Sequence, residues 1–162
     1  MAKIGFIGLG IMGTPMARHL QDAGHQLFTS RFNPPPRQEL IDNGLQILET
    51  PKAVAEECDT IILMLPDTPQ VAEVIFGEGG AIGGLGKGKL LIDMSSISPI
   101  ETKEFAKKVR ATGGEYVDAP VSGGEVGAKN ASLSIMAGGS QESFDRALPL
   151  LKLMGKNITL VG

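Results

Sequence analysis

The sequence has only one cysteine and no excess of basic residues. An internal disulfide needs two cysteines, so Cys58, the single cysteine among 162 residues, forms none within this chain. A chain without disulfides fits a reducing compartment, and we therefore expect a cytoplasmic location. Acidic residues outnumber basic ones by 18 to 15, which gives a net charge of −3. Without a basic excess to neutralise phosphates, no nucleic-acid partner is expected.

Long hydrophobic runs are also missing. The apolar stretches, such as that at 60–66, fall far short of the roughly 20 residues that a membrane helix needs, so no membrane association is expected. The first part of the chain combines a lysine with apolar side chains, as a secretion signal does. It also carries three glycines at the spacing of a known motif, and no A-x-A cleavage site follows. We therefore interpret this segment as part of the folded domain.

Short apolar strands alternate with amphipathic or capped helices along the chain. This alternation predicts an α/β fold with a doubly wound, mostly parallel sheet and helices on both faces. We expect one domain over residues 1–162. The predicted strands lie at 3–7, 26–30, 45–48, 60–65, 90–94, 115–119, 132–136 and 158–161. The predicted helices lie at 11–23, 37–43, 51–57, 68–76, 98–112 and 141–154.

A glycine-rich turn joins the first predicted strand to the first predicted helix. Gly8, Gly10 and Gly13 form the pattern G-x-G-x-x-G in the strand–turn–helix setting that the motif requires. The first glycine permits the tight turn, the second lets a pyrophosphate approach the backbone, and the third lets helix and strand pack closely. The turn predicts a Rossmann-type domain that binds NAD(P), with cofactor contacts from Gly8, Leu9, Gly10, Ile11, Met12 and Gly13. The alternative is a glycine-rich packing turn without a ligand.

The end of the second predicted strand carries no acidic residue. NAD-specific domains of this fold usually hold the ribose 2′-hydroxyl with an acid at this place. This chain has Ser30, Arg31 and Asn33 instead, and the guanidinium of Arg31 offers a fork for a 2′-phosphate. We therefore expect NADP(H), with these three residues around the ribose. NAD(H) stays open, because a solvated loop charge is the alternative for Arg31.

Serines and a proline follow two of the later strands, at the edge where open parallel sheets bind ligands. Leu65 and Pro66 are candidates for lining the cofactor groove. A hydroxyl residue followed by proline marks helix starts at 50, 68 and 98, where the hydroxyl is expected to cap the helix. Ser95 and Ser96 are not placed to cap a helix, so one of them is expected to hydrogen-bond the nicotinamide ribose or the substrate.

A further candidate segment combines one serine with two glycines. Ser122 is followed by Gly123 and Gly124, which together expose a hydroxyl and backbone amides. Such a donor set suits a carboxylate or an oxyanion. The alternative from residue chemistry alone is a flexible turn.

The residues that could bind a metal or act as nucleophiles are isolated. His19 and His25 have no Cys, acid or His partner at ligand spacing, so no metal is expected. Cys58 lies before a predicted strand and is interpreted as a packing residue.

Taken together, the motifs resemble the β-hydroxyacid dehydrogenase family over essentially the whole chain. The resemblance rests on GFIGLGIMG at 5–13, MLPD at 64–67, DMSSIS at 93–98 and DAPVSGG at 118–124. It implies hydride transfer between NAD(P)H and the aldehyde carbon of a small 3-oxo acid. Segments 95–102 and 155–162 are most similar to members that reduce tartronate semialdehyde to glycerate, which is therefore the expected reaction.

The resemblance also implies roles for individual residues. Residues 122–124 would hold the substrate carboxylate and neighbouring oxygens, Ser95 would lie near the nicotinamide, and residues 65–66 would contact the cofactor. The family's catalytic lysine lies on the long helix that begins an all-α second domain. That lysine lies beyond Gly162, so no catalytic residue is assigned in this chain, which alone is expected to turn over little or nothing.

Three points stay open in this interpretation. Family members tend to have an Asn-Arg pair where this chain has Arg31-Phe32, which leaves the choice of cofactor undecided. A homo-oligomer is expected for the full-length enzyme, because family members associate mainly through the helical domain. The alternative functions are a non-catalytic dinucleotide-binding module and a reductase for 3-hydroxyisobutyrate or another semialdehyde.

Overall fold

A six-stranded parallel sheet forms the centre of the fold. The computed structural model describes residues 2–31 and 35–161. The strands of this sheet are β1 Lys3–Ile7, β2 Gln26–Ser30, β3 Gln46–Leu48, β4 Thr60–Leu63, β5 Leu90–Asp93 and β6 Glu115–Asp118. They lie in the order β3-β2-β1-β4-β5-β6. The order reverses between β1 and β4, which is the switch point where α/β sheets bind ligands.

Helices cover both faces of this sheet. They are α1 Gly13–Asp22, α2 Gln38–Asp42, α3 Pro51–Glu57, α4 Thr68–Phe76, α5 Pro99–Arg110, α6 Gly124–Lys129 and α7 Gln141–Met154, with a 3-10 helix at Ala81–Gly84. One cluster of buried apolar side chains joins α1 and α7 to one face, and a second joins α4 and α5 to the other. Every residue of β4 and β5 is buried, as expected for strands covered on both faces. The predicted doubly wound fold is confirmed.

The register of the sheet aligns the carboxyl ends of four strands. A row of paired residues crosses the sheet at this edge, and its members are Ile7, Leu63, Asp93 and Asp118. Each of them is the last residue of its strand. The segments that follow β1, β4, β5 and β6 therefore leave the sheet side by side, which brings together the candidate segments that the sequence marks.

The last strands form a second sheet instead of extending the first. They are β7 Val121–Ser122, β8 Leu133–Ala137 and β9 Gly155–Leu160. β7 pairs antiparallel with β8, and β8 pairs parallel with β9. The alternation of strands and helices implied one sheet. Apolar periodicity marks a strand but does not identify its partner, since pairing is decided between residues that are distant in the sequence.

Helix α6 has no counterpart in the sequence prediction. Its sequence, GEVGAK, contains two glycines, which are poor helix formers. The helix nevertheless forms, because it packs against β8. A Cβ atom placed on Gly127 would lie 3.2 Å from the Leu133 side chain, so a glycine fits this close contact best.

Of the three predicted hydroxyl caps, the structure confirms one. Thr50 Oγ1 accepts a hydrogen bond from the Ala53 amide at the start of α3, over 3.1 Å. Helix α4 is capped by Asp67, whose Oδ1 accepts from the Thr68 amide over 2.7 Å. Ser98 occupies the N-cap position of α5 but makes no side-chain cap.

Candidate functional site

The three glycines of the turn after β1 differ in the space around them. Gly8 has a φ of +111°, and a Cβ atom placed on it would lie 2.1 Å from the carbonyl oxygen of Met64. A Cβ atom on Gly13 would lie 1.8 Å from the Gly8 carbonyl oxygen. Gly10 is exposed, and its Cβ position has no atom within 4 Å. Gly8 and Gly13 are therefore required by the fold, whereas Gly10 leaves space above the turn.

The N-terminus of α1 points out of this turn. Helical hydrogen bonding begins where the Thr14 amide donates to the Gly10 carbonyl over 3.0 Å, and Thr14 Oγ1 donates to the Leu9 carbonyl over 3.1 Å. The amides of Ile11 and Met12 precede that first helical bond, and Ile11 is 61% exposed. The first turn of α1 carries no acidic residue. This end of the helix is therefore suited to an anion such as a pyrophosphate.

At the end of β2, Ser30 is buried and Arg31 is exposed. Arg31 Nε forms an ion pair with Glu49 Oε1 over 2.8 Å. The Arg31 side chain is 71% exposed and that of Glu49 is 73% exposed. An exposed pair of this kind contributes little to stability, so a stronger anionic partner can displace Glu49. The prediction for Asn33 lies outside the described residues.

The segments after β4 and β5 meet through a buried hydrogen bond. The Leu65 amide donates to Ser95 Oγ over 2.8 Å. Ser95 has no exposed surface, whereas its neighbour Ser96 is exposed. The Leu65 side chain also lies against the Gly8 turn, since its Cδ2 atom is 3.2 Å from the Cβ position of that glycine. The structure thus brings the two predicted cofactor segments into contact.

Two carboxyl groups and a phenol lie near the carboxyl ends of β5 and β6, and the sequence predicted no role for them. Asp93 and Tyr116 are buried, and Tyr116 Oη donates to Asp93 Oδ2 over 3.2 Å. Burial raises the pKa of Asp93, although hydrogen bonds from Ser95 and Tyr116 oppose the shift. Burial and then the charge of Asp93 raise the pKa of Tyr116 as well. The sequence contains a partial sign of this cluster, because Asp93 and Asp118 are the last residues of two successive strands.

Asp118 is expected to titrate near neutrality. Burial, followed by the negative charge of Asp93, raises the pKa of Asp118 from 3.8 to about 6. The fold thus favours the protonated form. Its stabilising contribution is present below pH 3.8 and is lost as the pH rises through about 6. The measurement is a carboxyl ¹³C NMR titration of the folded chain, with Asp118→Asn to assign the signal. A midpoint at the ordinary value for aspartate would contradict this prediction.

Ser122 is the last residue of β7, Gly123 makes the turn, and Gly124 is the first residue of α6. Both glycines have positive φ angles, +127° and +62°, and all three residues are exposed. A Cβ atom on Gly123 would lie 3.3 Å from the Leu133 side chain, so the turn packs against β8. The structure therefore does not favour a loose, flexible turn at these residues.

His19 connects the helix behind the glycine turn with the helix behind the Ser122 turn. Its Nε2 lies 2.9 Å from the Ala128 carbonyl oxygen and 3.1 Å from that of Lys129, at the C-terminal end of α6. The sequence predicted no role for this histidine. Cys58 has no exposed surface, which confirms the packing role predicted for it.

Among residues 2–31 and 35–161, no group of three or more His, Cys, Asp or Glu side chains is arranged to hold a metal ion. Over the same residues, none of the helices has the length and apolar character needed to cross a bilayer.

Comparison with known proteins identifies the family of this chain. The family model described as the NAD binding domain of 6-phosphogluconate dehydrogenase matches residues 3–162. The chain belongs to this family. Binding of a nicotinamide dinucleotide, predicted from the glycine turn, is the property that gives this family its description.

The chain is similar to curated dehydrogenases and reductases of hydroxyacids. The chain is 58% identical to 2-hydroxy-3-oxopropionate reductase of Escherichia coli over 160 residues, which are 99% of the chain and 54% of that protein. It is 42% identical to mitochondrial 3-hydroxyisobutyrate dehydrogenase of Bos taurus, over 98% of the chain and 47% of that enzyme. The predicted resemblance to β-hydroxyacid dehydrogenases is confirmed. The chain spans about half the length of the curated relatives it matches.

A solved structure supports the same grouping. The 3-hydroxyisobutyrate dehydrogenase of Mycobacterium tuberculosis, solved with L-serine, superposes with a TM-score of 0.90 at 31% identity. The match covers 99% of this chain and 55% of that one. The Rossmann-type fold is therefore shared over the whole NAD-binding domain.

Proposed function

We propose that these residues form the cofactor-binding domain of an NADP(H)-dependent β-hydroxyacid reductase that converts tartronate semialdehyde to glycerate. The observation that carries this proposal is the 58% identity with 2-hydroxy-3-oxopropionate reductase, since that name denotes the same aldehyde. The ordered turn at residues 122–124 supports it, because a domain that only binds a dinucleotide has no need of a second donor set. A reductase for another semialdehyde is the second candidate, favoured by the 42% identity with 3-hydroxyisobutyrate dehydrogenase.

The cofactor would lie across the switch point between β1 and β4. The pyrophosphate would contact the amides of residues 8–13 at the N-terminus of α1, where the geometry suits an anion. The ribose of the adenosine half would meet Ser30, Arg31 and Asn33. The nicotinamide half would lie over Leu65 and Pro66, with Ser95 holding that segment from behind. When bound, the cofactor supplies the hydride.

The substrate would be held by its carboxylate. Ser122 offers an exposed hydroxyl, and the amides of Gly123 and Gly124 follow it at the start of α6. Fixed donors of this kind orient an anionic substrate with respect to the nicotinamide and exclude unproductive poses. The proton that completes reduction of the aldehyde would come from the family lysine beyond Gly162, in a second, all-α domain. We therefore assign no general acid within these residues.

The location and the assembly belong to the same proposal. A cytoplasmic protein is supported by its single, buried cysteine. A homo-oligomer is proposed for the full-length enzyme, with contacts outside the domain described in this structure.

The test is a substrate panel on the full-length gene product that contains these residues. Tartronate semialdehyde, methylmalonate semialdehyde and succinic semialdehyde are each offered with NADPH and with NADH, and oxidation of the cofactor is followed by absorbance. We expect the highest kcat/KM with tartronate semialdehyde and NADPH. A higher value with another aldehyde would replace the substrate. No turnover with any aldehyde, together with tight NADPH binding, would favour a non-catalytic module.

A variant pair shows whether the Ser122 turn holds the substrate. Ser122→Ala is expected to raise KM for the semialdehyde about tenfold, because one hydrogen bond to a carboxylate is lost, while the dissociation constant of NADPH stays the same. Lys156→Ala, at an exposed position on β9, is the control and should change neither value. An unchanged KM in Ser122→Ala would contradict the assignment.

A further inference from the structure

A buried chain of hydrogen bonds runs from β6 to the segment that follows β4. Tyr116 Oη donates to Asp93 Oδ2 over 3.2 Å, and the Ser95 amide donates to Asp93 Oδ1 over 3.0 Å. Ser95 Oγ in turn accepts from the Leu65 amide over 2.8 Å. Asp93 and Ser95 have no exposed surface, and Tyr116 is 1% exposed. Water therefore cannot replace any of these partners.

This chain of hydrogen bonds ends against the glycine turn. Hydrogen bonding between β4 and β1 stops where the Met64 amide donates to the Ile7 carbonyl over 2.9 Å. The next amide, that of Leu65, is held by Ser95 instead of by a strand. The carbonyl oxygen of Met64 and the side chain of Leu65 lie 2.1 Å and 3.2 Å from the Cβ position of Gly8. The position of Leu65 beside the turn thus depends on Ser95.

Asp93 is the charged member on which this arrangement depends. An ionised carboxylate accepts hydrogen bonds and donates none, which matches the donors that Ser95 and Tyr116 direct at it. Hydrogen bonds to a charged group are about twice as strong as those between neutral groups. The orientation of Ser95 is therefore fixed more firmly by Asp93 than a neutral acceptor could fix it.

We propose that Asp93 is a positioning residue for the nicotinamide half of the cofactor, acting through Ser95 on Leu65. This inference rests on the proposed function, which places the nicotinamide half over Leu65 and Pro66. In a sheet with this switch point, one half of a dinucleotide lies on each side of it. The adenosine half would lie over β1 and β2, on the other side of the switch point from Leu65. Loss of Asp93 should therefore weaken binding of the nicotinamide half alone.

Two ligands separate the two halves of the cofactor. NADPH contains both halves, whereas 2′,5′-ADP contains only the adenosine half. In calorimetric titrations of this chain, Asp93→Asn is expected to weaken NADPH about tenfold and 2′,5′-ADP less than about twofold. Ser95→Ala should do the same. The double variant should be no weaker than the weaker single variant, because the two residues act in series.

A matched control removes a different carboxylate, which lies at the other edge of the same sheet. Asp59 directly precedes β4, at the opposite end from Leu65, and its side chain is 83% exposed. Asp59→Asn should leave the affinities for both ligands unchanged. A merely structural role for Asp93 would lower the melting temperature of Asp93→Asn without altering the ratio of the two dissociation constants, and that result would overturn the proposal.

If Asp93→Asn does not fold, Tyr116→Phe tests the same chain of hydrogen bonds. It removes one donor to Asp93 and keeps the buried ring, and we expect NADPH to weaken about threefold while 2′,5′-ADP is unaffected. Equal affinity of Tyr116→Phe and wild type for NADPH would then overturn the proposal. If the wild-type chain binds neither nucleotide, the proposed function fails, and this inference fails with it. Failure of the proposed function can therefore be told apart from failure of this inference alone, because it is seen in the wild-type chain without any substitution.

Discussion

Replacing Gly10 with alanine is expected to weaken NADPH binding by about 100-fold or more and to leave the free energy of unfolding unchanged within about 0.5 kcal/mol. The reason is that the Cβ position of Gly10 has no protein atom within 4 Å, so alanine fits the folded chain. The added methyl group would instead occupy the space through which a pyrophosphate reaches the backbone. The measurements are calorimetric titration with NADPH and chemical denaturation of the same preparation.

Two further glycine variants act as controls for this experiment. Gly13→Ala places a methyl group 1.8 Å from the Gly8 carbonyl oxygen, so it should lower the free energy of unfolding by roughly 3 kcal/mol as well as weaken binding. Gly86→Ala meets its nearest atom at 3.8 Å, far from the turn, and should alter neither property. Wild-type affinity for NADPH in Gly10→Ala would mean that the cofactor does not cross this turn.

Replacing Arg31 with alanine is expected to weaken NADPH 10- to 100-fold and NADH less than about twofold. A charge-assisted hydrogen bond to a phosphate contributes about 1.5–3 kcal/mol, and only NADPH carries the 2′-phosphate. Arg31→Lys keeps the charge but lacks the planar fork, so it should restore NADPH binding only in part. The measurement is the dissociation constant of each cofactor for each variant.

The ion pair between Arg31 and Glu49 provides a second test, in which NADPH binding is expected to become stronger. Glu49 holds the guanidinium at 2.8 Å in the absence of a phosphate, and a 2′-phosphate would have to replace it. Glu49→Gln is therefore expected to strengthen NADPH binding a few-fold and to leave NADH unchanged, at low salt where exposed charges are least screened. Equal losses of NADPH and NADH affinity in Arg31→Ala would show that Arg31 does not select the cofactor.

Strand positions were predictable because each strand of the main sheet is a short apolar run. Three strands were predicted to run beyond their C-terminal ends. The prediction extended β4 to Leu65, β5 to Met94 and β6 to Ala119, whereas the strands end at Leu63, Asp93 and Asp118. Leu65 and Met94 are apolar and buried, so they resemble strand residues in the sequence. The hydrogen-bond partner of Leu65 is a serine side chain, and no periodicity in the sequence reports that.

Helix α6 and the second sheet lay beyond sequence reasoning for a related reason. Two glycines in α6 speak against a helix, and the packing of Gly127 on Leu133 outweighs that local preference. β7 is only two residues long, too short for a periodic pattern. Its pairing with β8 joins Ser122 to Ser134, across a gap that contains all of α6.

The sequence by itself determined the class of fold, the glycine turn and the family resemblance, because these depend on patterns within a few consecutive residues. It also marked the Ser122 turn and the absence of an acid after β2. Only the tertiary structure decided what surrounds these segments. It joined Asp93, Tyr116 and Ser95 into one buried chain behind Leu65, and it placed Glu49 against Arg31. Such contacts arise from the register of parallel strands, which aligns residues that lie up to dozens of positions apart in the chain.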